Sequence, residues 1–283
     1  ESILVYFRNQ LAITGTIPTD RRIILEGYID RKGRLNAVFH SVYGRRVNDA
    51  LSRAYANAIS KGVKVNVGTA ILDYGFVITL PSGKMIDLGR IPSLVTPDNI
   101  EELIRGAIRR TELFKQRFRH CAVRSFMVLR MYKGWEISVS RQQTRAIRVL
   151  DLLEGIDDFP VVKETYREIL EDVMDLPNAI NVVKGIANGE IEFRVLPLTD
   201  VPSPFSHGLI LVGAEDVVLM EDREALLREL HRQVLARVVG EAGEAIFPED
   251  IVQSLYNQRQ HLTPETMGKA KDDIPKVLHD IGP

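Results

Sequence analysis

An α+β fold is predicted, with a small antiparallel sheet module over residues 1–92 and a larger, mostly helical module over 93–283, the two packed together. Two observations carry this. Short apolar runs punctuated by Gly, Pro and Asp fill the first third of the chain, which is the pattern of strands and tight turns. After Pro92 the apolar residues recur at three- and four-residue steps, which is helical periodicity.

In chain order, Ile3 to Leu11 reads as the end of a helix, followed by the breaker-rich loop Thr14-Gly15-Thr16-Ile17-Pro18-Thr19-Asp20. Arg21 to Ile29 and Arg34 to His40 read as strands joined by a hairpin turn in which Gly33 supplies positive φ. Arg45 to Ser60 is helical, because Val47, Leu51, Ala54 and Ala58 share one face. Two more strands follow, Lys64 to Leu72 and Phe76 to Leu80. Thr96-Pro97-Asp98 then opens a helical pattern from Asn99 to about Tyr132. Further helices are expected over Gln142–Leu153, Val161–Met174, Asn178–Asn188 and Asp222–Val238, with a short strand at Glu190–Leu196.

The composition is ordinary for a soluble globular protein, with 45% apolar and 27% charged residues. No apolar run approaches the roughly 20 residues a membrane span needs. The chain opens on Glu1 without a leader-like segment, which suggests a trimmed piece of a longer protein. The single Cys121 excludes an internal disulfide and points to a reducing, cytoplasmic setting. The net charge of −1 hides a strong asymmetry. Residues 1–104 carry +3, residues 105–148 carry +10 and residues 149–283 carry −14. A basic segment of that density suits an anionic partner, or else packs beside the acidic half of its own chain.

Motifs for chemistry are missing. There is no Gly-rich phosphate loop ending in Gly-Lys-Ser/Thr, no G-x-G-x-x-G and no His or Cys pair at metal-ligand spacing. No catalytic residue and no metal site can be assigned, and the chain alone is not expected to be an enzyme.

Four blocks stand in a distinctive order. They are Ile17-Pro18-Thr19-Asp20 with Val38-Phe39-His40-Ser41-Val42-Tyr43-Gly44-Arg45-Arg46-Val47-Asn48-Asp49-Ala50-Leu51-Ser52-Arg53-Ala54; Phe118-Arg119-His120-Cys121-Ala122-Val123-Arg124; Arg141-Gln142-Gln143 leading to Phe159-Pro160 and Glu164-Thr165-Tyr166-Arg167-Glu168; and Ser203-Pro204-Phe205-Ser206-His207-Gly208. Together they resemble the accessory domain of Lhr-type (large helicase-related) superfamily 2 helicases. The resemblance implies a parent protein with RecA-like motor domains and a winged helix upstream, which bind ATP and magnesium. It implies translocation along a single strand, 3′ to 5′, with this domain guiding single-stranded DNA or RNA. No motor residue is present, so no cofactor is expected in this chain.

The residues expected to bind nucleic acid are cationic or aromatic. Arg110, Arg117 and Arg124, spaced by sevens, fall within about 40° of one line on a helix, with His120 beside them. Arg141, Arg145 and Arg148 repeat the theme on the next helix. Such stripes can track a phosphate backbone, or remain solvated faces. Trp135, between the two basic helices, offers a ring for base stacking or caps a core. Arg45 and Arg46 sit in the first turn of their helix, where unpaired N–H groups and the macrodipole favour an anion; the alternative is that they clamp the helical module. Two other functions stay open, a glycosylase-like repair domain, for which Gln258-Arg259-Gln260 is the only hint, and a protein-interaction scaffold.

Overall fold

The structure, a computed structural model, describes residues 2–213 together with Leu230 and residues 232–234. Gln258-Arg259-Gln260 and almost all of the helix expected over 222–238 lie outside those residues. The chain divides into two compact units, Glu1–His231 and Arg232–Pro283, and the architecture below is that of the first.

A five-stranded sheet forms its centre. After helix α1 (Ser2–Thr14) come β1 (Arg22–Ile29) and β2 (Leu35–His40), an antiparallel hairpin whose register pairs Leu25 with Phe39. Helix α2 (Arg45–Val63) leads to β3 (Gly68–Leu72) and β4 (Gly75–Thr79), and β4 pairs antiparallel with β2. The α+β class therefore stands, but the sheet is mixed rather than antiparallel. A fifth strand, β7 (Glu192–Val195), lies parallel to β1 and gives the order β3-β4-β2-β1-β7. It comes from beyond residue 92, so both parts of the chain build one sheet. Its Phe193 reaches Phe39 and Tyr55, and Glu192 pairs with Arg22 at 2.5 Å.

Strand alternation explains what covers each face. Ile23, Leu25, Leu35, Ala37 and Phe39 meet the apolar stripe of α2, with Val47, Leu51, Ala54 and Tyr55 all buried. The Phe39 and Phe76 rings stack at 4.3 Å between them. The opposite face carries Ile24, Glu26, Val38 and His40, also buried, because residues 203–213 fold over it and end in helix α8 (His207–Gly213). β2 thus reads as a continuous buried run instead of an alternating one.

The helical part departs from the sequence reading at one place. The segment expected to be a single helix from Asn99 to about Tyr132 is two helices and a hairpin: α3 (Ile100–Ile108), α4 (Glu112–Arg124), β5 (Met131–Tyr132) and β6 (Trp135–Glu136). Thr111 stops the first helix and starts the second. Its hydroxyl donates to the Ile108 carbonyl at 2.7 Å and accepts from Phe114 N–H at 3.3 Å, a cap of the ordinary Thr kind. The hairpin turns at Lys133 and Gly134, both at positive φ (49° and 83°), the backbone a two-residue hairpin loop with the right twist requires. Next come α5 (Val139–Leu152), α6 (Pro160–Arg167) with a π-helical continuation over Glu168–Val173, and α7 (Leu176–Ala187).

Candidate nucleic-acid interface

α4 is amphipathic. Phe114, Phe118, Cys121 and Ala122 are buried against the helical core, and this fixes which side chains face outward. Burial pushes the Cys121 thiol up, away from thiolate character. On the other side Arg117, Arg119, His120 and Arg124 open onto a cleft of about 490 Å³, closed by Arg130 and Glu136 of the hairpin, Gln142 of α5 and Glu168. Four arginines face two carboxylates there, leaving two positive charges in excess with His120 neutral.

The pairing inside the cleft is uneven. The Arg124 guanidinium donates to the buried Glu168 carboxylate and to Cys121 Sγ. Arg130 lies 3.7 Å from Glu136 and both side chains are largely exposed, which makes a weak pair. Arg119 touches His120 Nε2 at 3.2 Å, and its own Nε is buried without a partner. Partial burial, then Arg119, Arg117 and Arg124, hold the His120 imidazole below its ordinary value.

Of the residues singled out from sequence, the structure brings Arg117 and Arg124 together in this cleft and separates the others. Arg110 is not on their helix. It sits in the turn before α4, beside Lys115, Asp151 and Glu154, because the Thr111 cap breaks the seven-residue line. Arg141, Arg145 and Arg148 do share one exposed face of α5 and pair with nothing among the described residues. Trp135 is 80% exposed at the hairpin, so it caps no core, and its cross-strand partner Tyr132 is 58% exposed. Gln142 is buried and spends its amide on the Ile137 carbonyl at 2.6 Å. Arg45 and Arg46 open α2 as expected, yet they differ. Arg46 donates to the carbonyls of Glu171 and of Met174 (2.9 Å), so it ties α2 to the end of the π-helical turn, whereas Arg45 has no partner among the described residues.

Sequence reasoning missed Arg119, Arg130 and Tyr132. Tyr132-Lys133-Gly134-Trp135 carried a usable signal, an X-Gly turn between two aromatics, which favours a hairpin over a helix.

A second polar cluster lies on the far face of the sheet. Glu26, His40, Ser203 and Ser206 are all buried. Ser203 Oγ and Ser206 Oγ donate to Glu26 Oε2 at 2.6 and 2.7 Å, Ser203 N–H donates to Oε1 at 2.6 Å, and His40 Nε2 lies 3.0 Å from Oε2. Burial alone would raise the Glu26 carboxyl, but the bond and charge of His40 and the bonds from Ser203 outweigh it and hold it below the usual carboxylate range. The trio of Ser, His and Glu is not a nucleophile relay. Glu26 and Ser206 meet the same histidine nitrogen, and His40 Nδ1 has no partner. The cluster pins the 203–206 turn to the sheet. α1 adds to it through Gln10, which accepts from Phe205 N–H at 2.9 Å, and Tyr6, which donates to the Pro204 carbonyl at 3.0 Å.

Among the described residues no group of His, Cys, Asp and Glu is placed to hold a metal ion, and no helix is long and apolar enough to cross a membrane.

The family model for DEAD/H associated proteins matches residues 17–206, which spans all four sequence blocks except the last two residues of the fourth. The chain belongs to the DEAD/H associated family. This DEAD/H associated chain is 45% identical over 235 residues to the ATP-dependent helicase Lhr-Core of Sulfolobus acidocaldarius, covering 83% of itself and 27% of that protein. It is 29% identical over 279 residues to the Lhr helicase/uracil glycosylase of Escherichia coli, covering 95% of itself and 18% of that protein. Among solved structures it resembles the Mycobacterium smegmatis helicase Lhr bound to ssDNA and AMP-PNP, with TM-score 0.62 and 30% identity, over 72% of this chain and 26% of that one. The chain thus spans about a quarter of the length of the Lhr-Core relative and of the solved helicase.

Proposed function

We propose that this chain is a nucleic-acid-binding accessory region of an Lhr-type helicase, working in the cytoplasm. It guides a single strand of DNA or RNA during 3′-to-5′ translocation and unwinding. RecA-like and winged-helix domains elsewhere in the parent protein bind ATP and magnesium and do the mechanical work, while this chain alone has no ATPase activity. The observation that carries the reading is the α4 cleft, where Arg117, Arg119, Arg124 and Arg130 outnumber two carboxylates, with Arg124 and Arg130 exposed. An excess of guanidinium groups on a concave surface is what a phosphate backbone requires, since each neutralised phosphate releases counterions. The free arginines of α5, Arg141, Arg145 and Arg148, extend the same charge, with Arg45 and Arg110 as outlying contacts. The ssDNA bound by the solved relative supports this reading.

The test is a titration of a labelled single strand, in DNA and RNA forms, followed by anisotropy. With about four phosphate contacts, affinity falls about fiftyfold between roughly 50 and 200 mM salt. Arg117→Gln with Arg130→Gln removes two of them, and the same salt change then costs about sevenfold. A double variant with the parent's affinity and slope rejects the cleft as the binding site.

A further inference from the structure

The hairpin beside the cleft leaves its two aromatic rings largely exposed. Trp135 and Tyr132 are cross-strand partners, both exposed, and neither ring packs against another aromatic among the described residues. An exposed Trp forfeits the burial its large apolar surface would gain inside a core. The hairpin is nonetheless well defined. Its two-residue turn uses the backbone that such loops demand, the Ile137 N–H donates to the Arg130 carbonyl at 2.8 Å, and Gln142 fastens the following residue pair to α5 through the Ile137 carbonyl. Its surroundings are cationic. Lys133 at the tip lies 5.5 Å over the Tyr132 ring, and Arg130 from the same hairpin lines the cleft. Flat apolar faces on a hairpin whose Arg130 and Glu136 line a cationic cleft fit a ligand that is charged along one edge and aromatic along the other. A protein surface would need an acidic face with a pocket for each ring, whereas a single nucleic-acid strand supplies both features at every residue.

We propose that the Met131–Glu136 hairpin is a base-stacking pin: Trp135, with Tyr132, takes an unpaired base whose backbone runs in the Arg117/Arg124/Arg130 cleft. It therefore makes the site select single strands over duplex without reading sequence. Every base has a π face, so stacking tolerates any sequence, but bases inside a duplex are already stacked on each other and offer no free face. This rests on the cleft being the binding site, and it adds the feature that charge alone does not give, discrimination between paired and unpaired strands.

Trp135 is the sole Trp of the chain, so its intrinsic emission reports on the pin directly. The 283-residue chain is titrated with a 5′-labelled oligothymidylate and with a duplex of equal length, reading anisotropy for binding and Trp emission for stacking. The single strand is expected to quench the emission at saturation and the duplex to leave it unchanged. Trp135→Ala should lose about five- to 150-fold in single-strand affinity, with the salt slope and the melting temperature intact. Trp135→Tyr should restore most of the loss. Single-strand binding with unchanged Trp emission, and with Trp135→Ala binding like the parent, overturns the pin and leaves the cleft reading standing. Failure of the parent chain to bind any oligonucleotide overturns both.

Discussion

Glu26 and Glu168 are both buried carboxylates that meet a basic side chain, but the two side chains differ in what surrounds them. The His40 that meets Glu26 is as buried as the acid, and two serines complete the set, so every donor comes from inside the fold. The Arg124 that meets Glu168 has a side chain 60% exposed and stands among three further arginines with too few acids to match them. A closed set of partners stabilises the fold and leaves nothing over for a ligand. An open set with surplus charge contributes little to stability, because water screens it, and retains its attraction for an anion.

The sharpest way to break this comparison is Glu26→Ala. It leaves His40, Ser203 and Ser206 buried without their common acceptor, and the unfolding free energy in urea should fall by about 3–5 kcal/mol. Ser203→Ala removes one donor, the hydroxyl, and keeps the backbone N–H, and should cost about 1–3 kcal/mol. The sign with pH follows from the depressed Glu26 carboxyl. Its contribution is present above the unfolded value, about 4.3, and is lost as pH falls through the lower folded value. Glu26→Ala should therefore flatten the acid limb of a stability–pH curve. Equal urea midpoints for parent and Glu26→Ala would show the cluster to be inert.

A smaller effect separates two neighbours in sequence. Arg46 is bound to two carbonyls at the end of the π-helical turn, while Arg45 adds a cation to a helix N-terminus that already carries positive charge. Arg46→Gln should lower the unfolding free energy by about 1–2 kcal/mol, discounted from the buried case because the side chain is exposed. Arg45→Gln should leave it unchanged or raise it by a few tenths, roughly 0.3 kcal/mol. Thermal melts of the two single variants decide this. If both melt alike, the clamp is not made by Arg46.

Much of the sheet was legible because its strands are bounded by turn residues whose backbone needs are specific, as at Gly33 and Gly44, both at positive φ. The fifth strand was seen as a strand, yet its place beside β1 was not, since partner choice across 170 residues is set by packing of Phe193 on Phe39 and not by local pattern. The helix of Arg110, Arg117 and Arg124 failed for a local reason. Thr111 followed by Glu112 is a good helix start, and periodicity alone overrode it. Arg119 was passed over because sequence spacing put it off the line of sevens, whereas the cleft admits any arginine long enough to reach its mouth. The buried cluster was half visible. Its Ser-Pro-Phe-Ser-His-Gly block stood out, but the partner Glu26 is an acid within an apolar strand, and only the second covering layer explains why it is buried there.

The finest test of the open set concerns His120. Its imidazole is held below its ordinary value, first by partial burial and then by Arg119, Arg117 and Arg124, so in the free protein it is neutral at neutral pH. A phosphate in the cleft would offset those cations and raise the imidazole's affinity for a proton. Binding would then take up a proton, and by linkage the affinity must rise as pH falls through the value of the complex and level off below that of the free protein. Between about pH 7.5 and 5.5 the gain should be threefold to roughly tenfold for one histidine whose value moves by up to about one unit. His120→Gln should bind with little pH dependence over that range. Glu136 and Glu168 also line the cleft, and the His120→Gln variant separates the imidazole from both. An affinity that falls as pH drops, or a rise that persists unchanged in His120→Gln, would mean that the phosphate does not sit against α4 and that the surplus charge of the cleft serves another surface.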